Sequence, residues 1–214
     1  MSSKNVKKRD AKASKALIIN SAIELFSKKG YASTSMEELA KLSGLNKAMV
    51  FYYFKNKKGL YEAVMAQIFR EIHHKIIQEN QRCNTSIEEL ESFIRTYAKY
   101  ACSHPYLPSL LLKELSDSGA VLPDMLFGAM RELFALFSDI LKRGKKQGHF
   151  GDTIPMILYF MVIGTVNLMV TTKPLRVEAS KKDDILLDTC ANCNIDEIAD
   201  YIVENIDIIL KEKR

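Results

Sequence analysis

Apolar residues recur at helical spacing along almost the whole chain, and this periodicity constrains the fold more than any other feature. Over residues 195–213 they form a continuous stripe of the kind that lines one side of an α-helix. Shorter stripes of the same spacing recur upstream. Gly and Pro, which end helices and shape the turns of β-sheets, number only 9 and 5 in 214 residues. The sequence therefore predicts an all-α protein and makes a β-sandwich improbable.

Capping residues set several of the predicted helix starts. Ser35 and Glu38 have the spacing of a capping box, and Gly44 ends the short helix that follows. Asn46 and Asn56 are suited to cap the next two helices, the second beginning at residue 57. The predicted helices are 11–29, 36–43, 47–54, a fourth that begins at 57 and continues through 60–81, and then 86–103, 107–116, 123–145, 154–172 and 195–213.

One predicted helix, 154–172, has no charged residue over 19 positions and approaches the length of a membrane span. Pro155, Gly164 and Asn167 lie inside it, and the chain has no second run of this kind. These features favour a helix that is buried in the core and across a subunit contact. The polar stretch that follows, 176–194, predicts a long mobile connection.

Charge is unevenly distributed along the chain. Residues 1–60 contain thirteen basic and four acidic side chains, a net charge of +9, whereas the remainder contains 18 basic and 22 acidic, a net of −4. A basic front and an acidic rear indicate that the front meets a polyanion. The alternative is an ordinary basic surface that is simply solvated. The stretch 4–15 could add a flexible basic arm or be a tail of no consequence.

Two short helices joined by a Gly-containing turn, with a longer helix in front, predict a helix-turn-helix unit. In its third helix Val50 and Phe54 face the core, which turns the other side outward. The outward residues are Lys47, Ala48, Met49, Phe51, Tyr52 and Tyr53. Against DNA, Lys and Tyr reach phosphates, and Ala and Met meet a thymine methyl. The alternatives are that a Tyr ring packs on the first helix and that Lys47 is only solvated.

These segments resemble the tetracycline-repressor (TetR) family of bacterial transcription regulators. The resemblance covers roughly residues 11–60, and the order and spacing of its motifs are specific. Four runs carry it: Gly30-Tyr31, Thr34-Ser35-Met36-Glu37-Glu38-Leu39-Ala40, Gly44-Leu45-Asn46-Lys47 and Phe51-Tyr52-Tyr53-Phe54-Lys55-Asn56-Lys57.

The resemblance implies which residues touch DNA: Ser35 at the second helix start, 47–49 and 51–53 on the third helix, and Lys57 at the fourth helix start. Four positions depart from the family pattern. Asn46 replaces a Ser but still caps, and Ser43 stands where Ala is common. Phe51 replaces a Tyr and so contributes packing alone, and Met49 stands where Thr is frequent.

The resemblance also implies that the long C-terminal helices dimerise and hold a small-molecule site. Apolar surface beyond what one bundle needs agrees with the dimer. A largely apolar pocket with few polar groups suits a hydrophobic effector, although each candidate could equally be core packing. The candidates are Tyr97, Tyr100, His104, Tyr106, Met125, Met130, Phe134, Tyr159 and Asn167.

Other chemistry has weaker support. Cys190 and Cys193 have metal or redox spacing, but no second ligand pair lies at zinc-site distance. His73 and His74 are adjacent, so on a helix they diverge by about 100°. No nucleophile elbow or phosphate loop occurs, so we predict no enzyme activity, cofactor or metal.

The sequence thus predicts two domains, a DNA-binding head over 1–60 and a dimerising, effector-binding body over 61–214. The predicted function is that of a repressor, dimeric on a palindromic operator and released by a small apolar effector. A polar, charged N-terminus without an apolar segment predicts a cytoplasmic protein. The alternative is a helical small-molecule-binding or catalytic protein whose head has lost affinity for DNA.

Overall fold

A computed structural model describes residues 3–116, 124–181 and 194–211, with the side chains of 3–10, 113–116, 124–127 and 129 left out. Over these ranges the chain forms ten α-helices and no strand, which confirms the all-α prediction. The helices are α1 (Ser3–Lys29), α2 (Met36–Ser43), α3 (Lys47–Phe54), α4 (Lys57–Asn80), α5 (Ser86–Ser103), α6 (Tyr106–Ser116), α7 (Asp124–Lys146), α8 (Pro155–Thr171), α9 (Lys173–Ser180) and α10 (Ile195–Lys211).

The three predicted caps form, and the start of α10 is capped as well. The Ser35 hydroxyl and the Asn46 and Asn56 side chains each accept a hydrogen bond from a backbone N–H in the first turn of α2, α3 and α4. At α10 the Asn194 side chain accepts from the Glu197 N–H at 2.9 Å, and the Glu197 carboxylate accepts from the Asn194 N–H at 3.0 Å. These bonds satisfy N–H groups that have no partner inside the helix.

Two segments differ from the prediction. Residues 4–15 belong to α1, which begins at Ser3, and this stretch contains neither Gly nor Pro to end the helix. Residues 173–180 form α9 where the sequence indicated the beginning of a mobile connection. Pro174 lies in the first turn of α9, where a missing N–H costs nothing, and Arg176 is buried and donates to the Met169 carbonyl at 2.9 Å. The rest of that connection, 182–193, lies outside the described residues.

The first four helices pack around a shared core. Helix α1 contacts α2 and α4, α2 contacts α3, and α3 contacts α4. Five side chains from these four helices are fully or almost fully buried there: Ile18, Phe26, Leu39, Val50 and Leu60. Neither α2 nor α3 is long enough to bury an apolar face alone, so each depends on α1 and α4 for its position.

Helix α4 also joins the remaining helices, because its later turns contact α5 and α7. Helix α5 lies at the centre of the body, against α4, α7, α8 and α10. The buried apolar residues of head and body form one continuous cluster. A movement of the body that shifts α4 would therefore also displace the head.

The uncharged helix α8 is shorter than predicted. In the described parts of the chain no single helix has both the length and the apolar character to cross a membrane. Among the described helices, the one pair that reaches that length and composition together is α8 and α9, which are bent by 54° at the break between them.

Candidate nucleic-acid interface

The start of α2 is fixed by a complete capping box. The Ser35 Oγ accepts from the Glu38 N–H at 3.2 Å, and the Glu38 carboxylate accepts from the Ser35 N–H at 2.9 Å. The ammonium of Lys29, in the last turn of α1, also pairs with Glu38. The bond from Lys29, followed by those from the Ser35 N–H and hydroxyl, lowers the pKa of Glu38 to about 2. The predicted DNA contact Ser35 is therefore first of all part of this cap.

Helix α3 presents the face that the sequence predicts. Val50 and Phe54 are buried, and the opposite side carries Lys47, Ala48 and Tyr52 in exposed positions. Asn46 caps the helix by accepting from the Met49 N–H at 2.8 Å. Because the buried residues are four apart, they fix the rotation of the helix about its own axis and hence which side chains point outward.

The aromatic side chains of α3 differ in exposure. Tyr52 is 81% exposed, Phe51 is 39% exposed, and Tyr53 is half-buried against the core. The Lys15 ammonium lies 5.6 Å from the centre of the Tyr53 ring, so this ring packs towards α1. Met49 is also half-buried. Tyr52 is thus the most exposed aromatic side chain of α3, and the Phe51 ring lies beside the Lys47 ammonium.

Lys47 already has a partner on α2. Its ammonium forms an ion pair with the Glu37 carboxylate and lies 5.8 Å from the centre of the Phe51 ring. The bond from Lys47 is the main reason that the pKa of Glu37 is lowered. Both side chains of the pair are more than half exposed, so the pair can open when a stronger anion arrives.

The junction of α3 and α4 is a single tight turn. Lys55 has φ +60° and ψ −50°, and the Asn56 N–H donates to the Phe54 carbonyl at 2.6 Å. A positive φ at a residue other than Gly, with a bond spanning two positions, is a strained γ-turn. A Cβ added at Gly59 would lie 2.5 Å from the Phe54 oxygen, so only Gly fits below the turn.

Lys57 does not point to the outer face of α3. Its ammonium donates to three carbonyl oxygens of the α1–α2 turn, those of Tyr31 at 2.9 Å, Ala32 at 3.0 Å and Thr34 at 3.0 Å. The Tyr31 ring lies 4.5 Å below the ammonium. The sequence indicated the helix start correctly, but it could not indicate partners 23–26 residues upstream.

The nine predicted effector residues do not form one group. The first cluster lies in the core between α5, α7 and α8, where the Tyr97 hydroxyl donates to the Asn167 oxygen at 2.8 Å. The Tyr159 ring packs edge-on against Phe134, with ring centres 5.4 Å apart, and Met130 lies partly buried beside the same core. Burial raises the pKa of both Tyr97 and Tyr159.

A second cluster lies at the end of α5. Tyr100 stacks on His104 with ring centres 4.2 Å apart, and Tyr106 packs edge-on against His104. The Tyr100 hydroxyl donates to the Glu71 carboxylate at 3.0 Å. Burial, and then the charge of Glu71, raises the pKa of Tyr106 to about 12. The side chain of the ninth candidate, Met125, lies outside the described residues.

The structure shows two clefts in the body that were not predicted from the sequence. A mainly apolar cleft of about 430 Å³ lies between the end of α5, α8, α9 and α10, lined among others by Met169, Val177 and Ile198. A polar cleft of about 610 Å³ lies between α4 and α5 and includes Tyr100. The apolar cleft depends on α9, which the sequence did not predict. In the part of the chain that the structure describes, no three His, Cys, Asp or Glu side chains are grouped as metal ligands; Cys190 and Cys193 lie outside it.

Residues 18–64 match the family model described as bacterial regulatory proteins, tetR family. Over 198 residues, 92% of either protein, the chain is 25% identical to the HTH-type transcriptional regulator RutR of Escherichia coli (strain K12). Over 77 residues it is 36% identical to IcaR of Staphylococcus aureus (strain Newman), an HTH-type negative transcriptional regulator of the biofilm operon icaADBC; this covers 36% of the chain and 41% of IcaR.

The fold is similar to that of the transcriptional regulator FadR from Bacillus subtilis, solved in complex with stearoyl-CoA. The TM-score is 0.69 at 17% identity, covering 88% of this chain and 95% of FadR. The family model matches the helices that carry the candidate interface, and the likeness to RutR and FadR extends through the body. Residues 18–64 therefore carry the DNA-binding domain of the tetR family of bacterial regulatory proteins, and over most of its length the chain is similar to transcriptional regulators.

Proposed function

We propose that the chain is a repressor that binds a palindromic operator as a homodimer and leaves it when a small, largely apolar effector binds the body. In this proposal residues 1–60 read the DNA, and residues 61–214 dimerise and bind the effector. The observation that carries it is the outer face of α3, which keeps a lysine and an aromatic ring exposed while Val50 and Phe54 anchor the helix from behind.

Helix α3 is proposed to lie in the major groove. Lys47 would exchange Glu37 for a phosphate or a base edge, and the Tyr52 hydroxyl would reach a phosphate. Ala48 and Met49 supply apolar contact for a thymine methyl. The remaining proposed contacts are Ser35 beside the groove and Phe51 and Tyr53 by packing. Lys57 is not among them, because its ammonium is bonded to carbonyls of the α1–α2 turn.

An exposed apolar face on α8 supports the homodimer. Five side chains of this helix are large, apolar and exposed: Met156, Ile157, Phe160, Met161 and Leu168. Tyr201 and Ile208 of α10, which packs on α8, are exposed as well. A contiguous apolar patch of this kind marks a protein interface. A two-fold dimer would present its two α3 helices to half-sites about 34–36 Å apart.

The effector is proposed to bind in the body, either among the aromatic and polar residues that the sequence predicts or in the apolar cleft of about 430 Å³, which none of them lines. The apolar character of the 430 Å³ cleft and the long acyl ligand named for FadR support an apolar compound. Repression is supported by IcaR, a negative regulator. A protein that acts on bacterial operators works in the cytoplasm, and its function as a regulator requires no catalysis.

Binding to the DNA upstream of the chain's own gene tests this function. Fluorescence anisotropy should show salt-dependent, sequence-selective binding, and Lys47→Ala should weaken it about 10-fold and relax selectivity at nearby bases. Lys142→Ala removes an exposed lysine of the body and should leave binding unchanged. If both variants bind as the parent does, α3 is not the reading element.

A further inference from the structure

The ammonium of the half-buried Lys57 is held against the α1–α2 turn by contacts that use its full bonding capacity. A lysine ammonium has three N–H donors, and here three carbonyls of one turn accept at 2.9–3.0 Å. The face of Tyr31 lies on a further side of the ammonium, at 4.5 Å. To reach a phosphate, this ammonium would have to give up three charge-assisted bonds.

The turn that Lys57 holds leads directly into α2. The Gly30 N–H closes the end of α1 on the Phe26 carbonyl, and the Thr34 hydroxyl donates back to the Gly30 carbonyl at 2.9 Å. The three carbonyls bonded to Lys57 follow within four residues, just before Ser35 caps α2. These oxygens lie beside the C-terminal end of α1, which carries partial negative charge, so a cation is favoured there.

The same turn is bound to α4 through aromatic packing. The ring of Tyr31 lies 4.9 Å from that of Tyr61 and 5.7 Å from that of Phe26, measured between ring centres. Tyr61 is four residues after Lys57, so both lie on one side of the first turns of α4. Polar and apolar contacts from α4 thus converge on the residues that set where α2 begins.

We propose that Lys57 is a positioning residue. Its ammonium holds the α1–α2 turn, and the turn sets the position of the start of α2, including Ser35, relative to the DNA. The inference rests on the proposed DNA-binding function and assigns Lys57 no direct phosphate contact. A lysine near DNA can act in two ways. A positioning lysine affects binding through the shape of the head, whereas a contacting lysine affects it through its charge on the phosphate.

The salt dependence of binding distinguishes these roles. A direct phosphate contact contributes about 0.9 to the slope of log affinity against log salt concentration. We expect Lys57→Met to weaken operator binding about 10-fold or more and to leave this slope unchanged, since hydrogen bonds to a charged group are lost but no phosphate contact is. Lys58→Met removes the same charge one residue later and should keep the affinity within about threefold of the parent.

Lys57→Arg gives a second, independent result. Arginine keeps the charge, but its planar guanidinium cannot converge on three carbonyls as an ammonium does. We therefore expect Lys57→Arg to weaken binding about as much as Lys57→Met does. If Lys57→Arg binds like the parent and Lys57→Met lowers the slope by about 0.9, Lys57 is a phosphate contact and the proposal is wrong.

Amide hydrogen exchange in the absence of DNA tests the turn itself. Exchange at residues 31–36 should be about tenfold faster in both Lys57 variants, with unchanged exchange in the core of α5 as a sign of an intact body. Unchanged exchange at 31–36 would overturn the proposal. Because this measurement needs no operator, it remains decisive if the parent binds no DNA, an outcome that would contradict the proposed function alone.

Discussion

Lys47 and Glu37 neutralise each other on the surface that faces the groove in the proposed complex. Glu37 is an exposed carboxylate that both competes for Lys47 and repels phosphate. Opening the pair is thus a small cost that DNA binding must overcome, as expected for an exposed ion pair.

Glu37→Gln should therefore tighten operator binding about two- to fivefold, measured by anisotropy at low salt. Glu24→Gln is the matched control, because Glu24 forms a similar exposed pair with Lys28 at 2.7 Å on α1. The control should leave affinity unchanged. Weaker binding by Glu37→Gln would mean that Glu37 positions Lys47 on the DNA.

Glu38 makes the stability of the head depend on pH. Its pKa of about 2 in the folded protein lies below the ordinary value of 4.5, so its bonds stabilise the fold above pH 4.5 and are lost as pH falls towards 2. Glu38→Gln should therefore lower stability at pH 7. In urea unfolding the difference from the parent should shrink as pH falls from 4.5 to 2; a difference that stays constant with pH would contradict this origin.

At the scale of helices, a loop folds back over the end of α7 and leaves no room for a side chain at Gly144. The His149 N–H donates to the Gly144 carbonyl at 2.8 Å, and the buried Phe150 ring lies where a Cβ of residue 144 would be. That ring packs against α5 and α10 near Ile94 and Ile206. The loop after α7 therefore closes one end of the body.

Gly144→Ala should displace Phe150 and destabilise the protein by about 1–3 kcal/mol, measured by thermal or urea unfolding. Gly128→Ala is its control on the same helix, since a Cβ there meets no atom within 4 Å. The control should be neutral or stabilising by up to about 1 kcal/mol. Equal effects of the two substitutions would mean that the Phe150 ring moves aside freely.

Local features could be predicted from the sequence, and long-range features could not. The starts of α2 and α3 depend on Ser35 and Asn46, whose partners lie three residues away. The partners of Lys57 lie in another helix connection, and the division of the effector candidates depends on how α5 packs against α4 and α8. The sequence thus predicts which face of α3 is exposed, but not the contacts that hold the helix in place.

At the scale of the whole molecule, the exposed face of α8 predicts a stable dimer. Phe160 is 56% exposed, and a charge there would be buried without a partner in a two-fold interface. Phe160→Glu should convert the protein to a monomer in sedimentation velocity and weaken operator binding. Leu17→Glu, at an exposed apolar residue of α1, should remain dimeric. A dimeric Phe160→Glu variant would exclude α8 from the interface.

The γ-turn at Lys55 is too short to allow α3 to move relative to α4. Because α3 is joined this closely to α4, it cannot rotate independently of α4. The orientation of α3 is therefore set by the orientation of α4. In the proposed dimer the two α3 helices would therefore lie a fixed distance apart. We therefore expect the operator to accept single base changes far more readily than one inserted base pair at its centre, which shifts both the distance and the rotation of the half-sites.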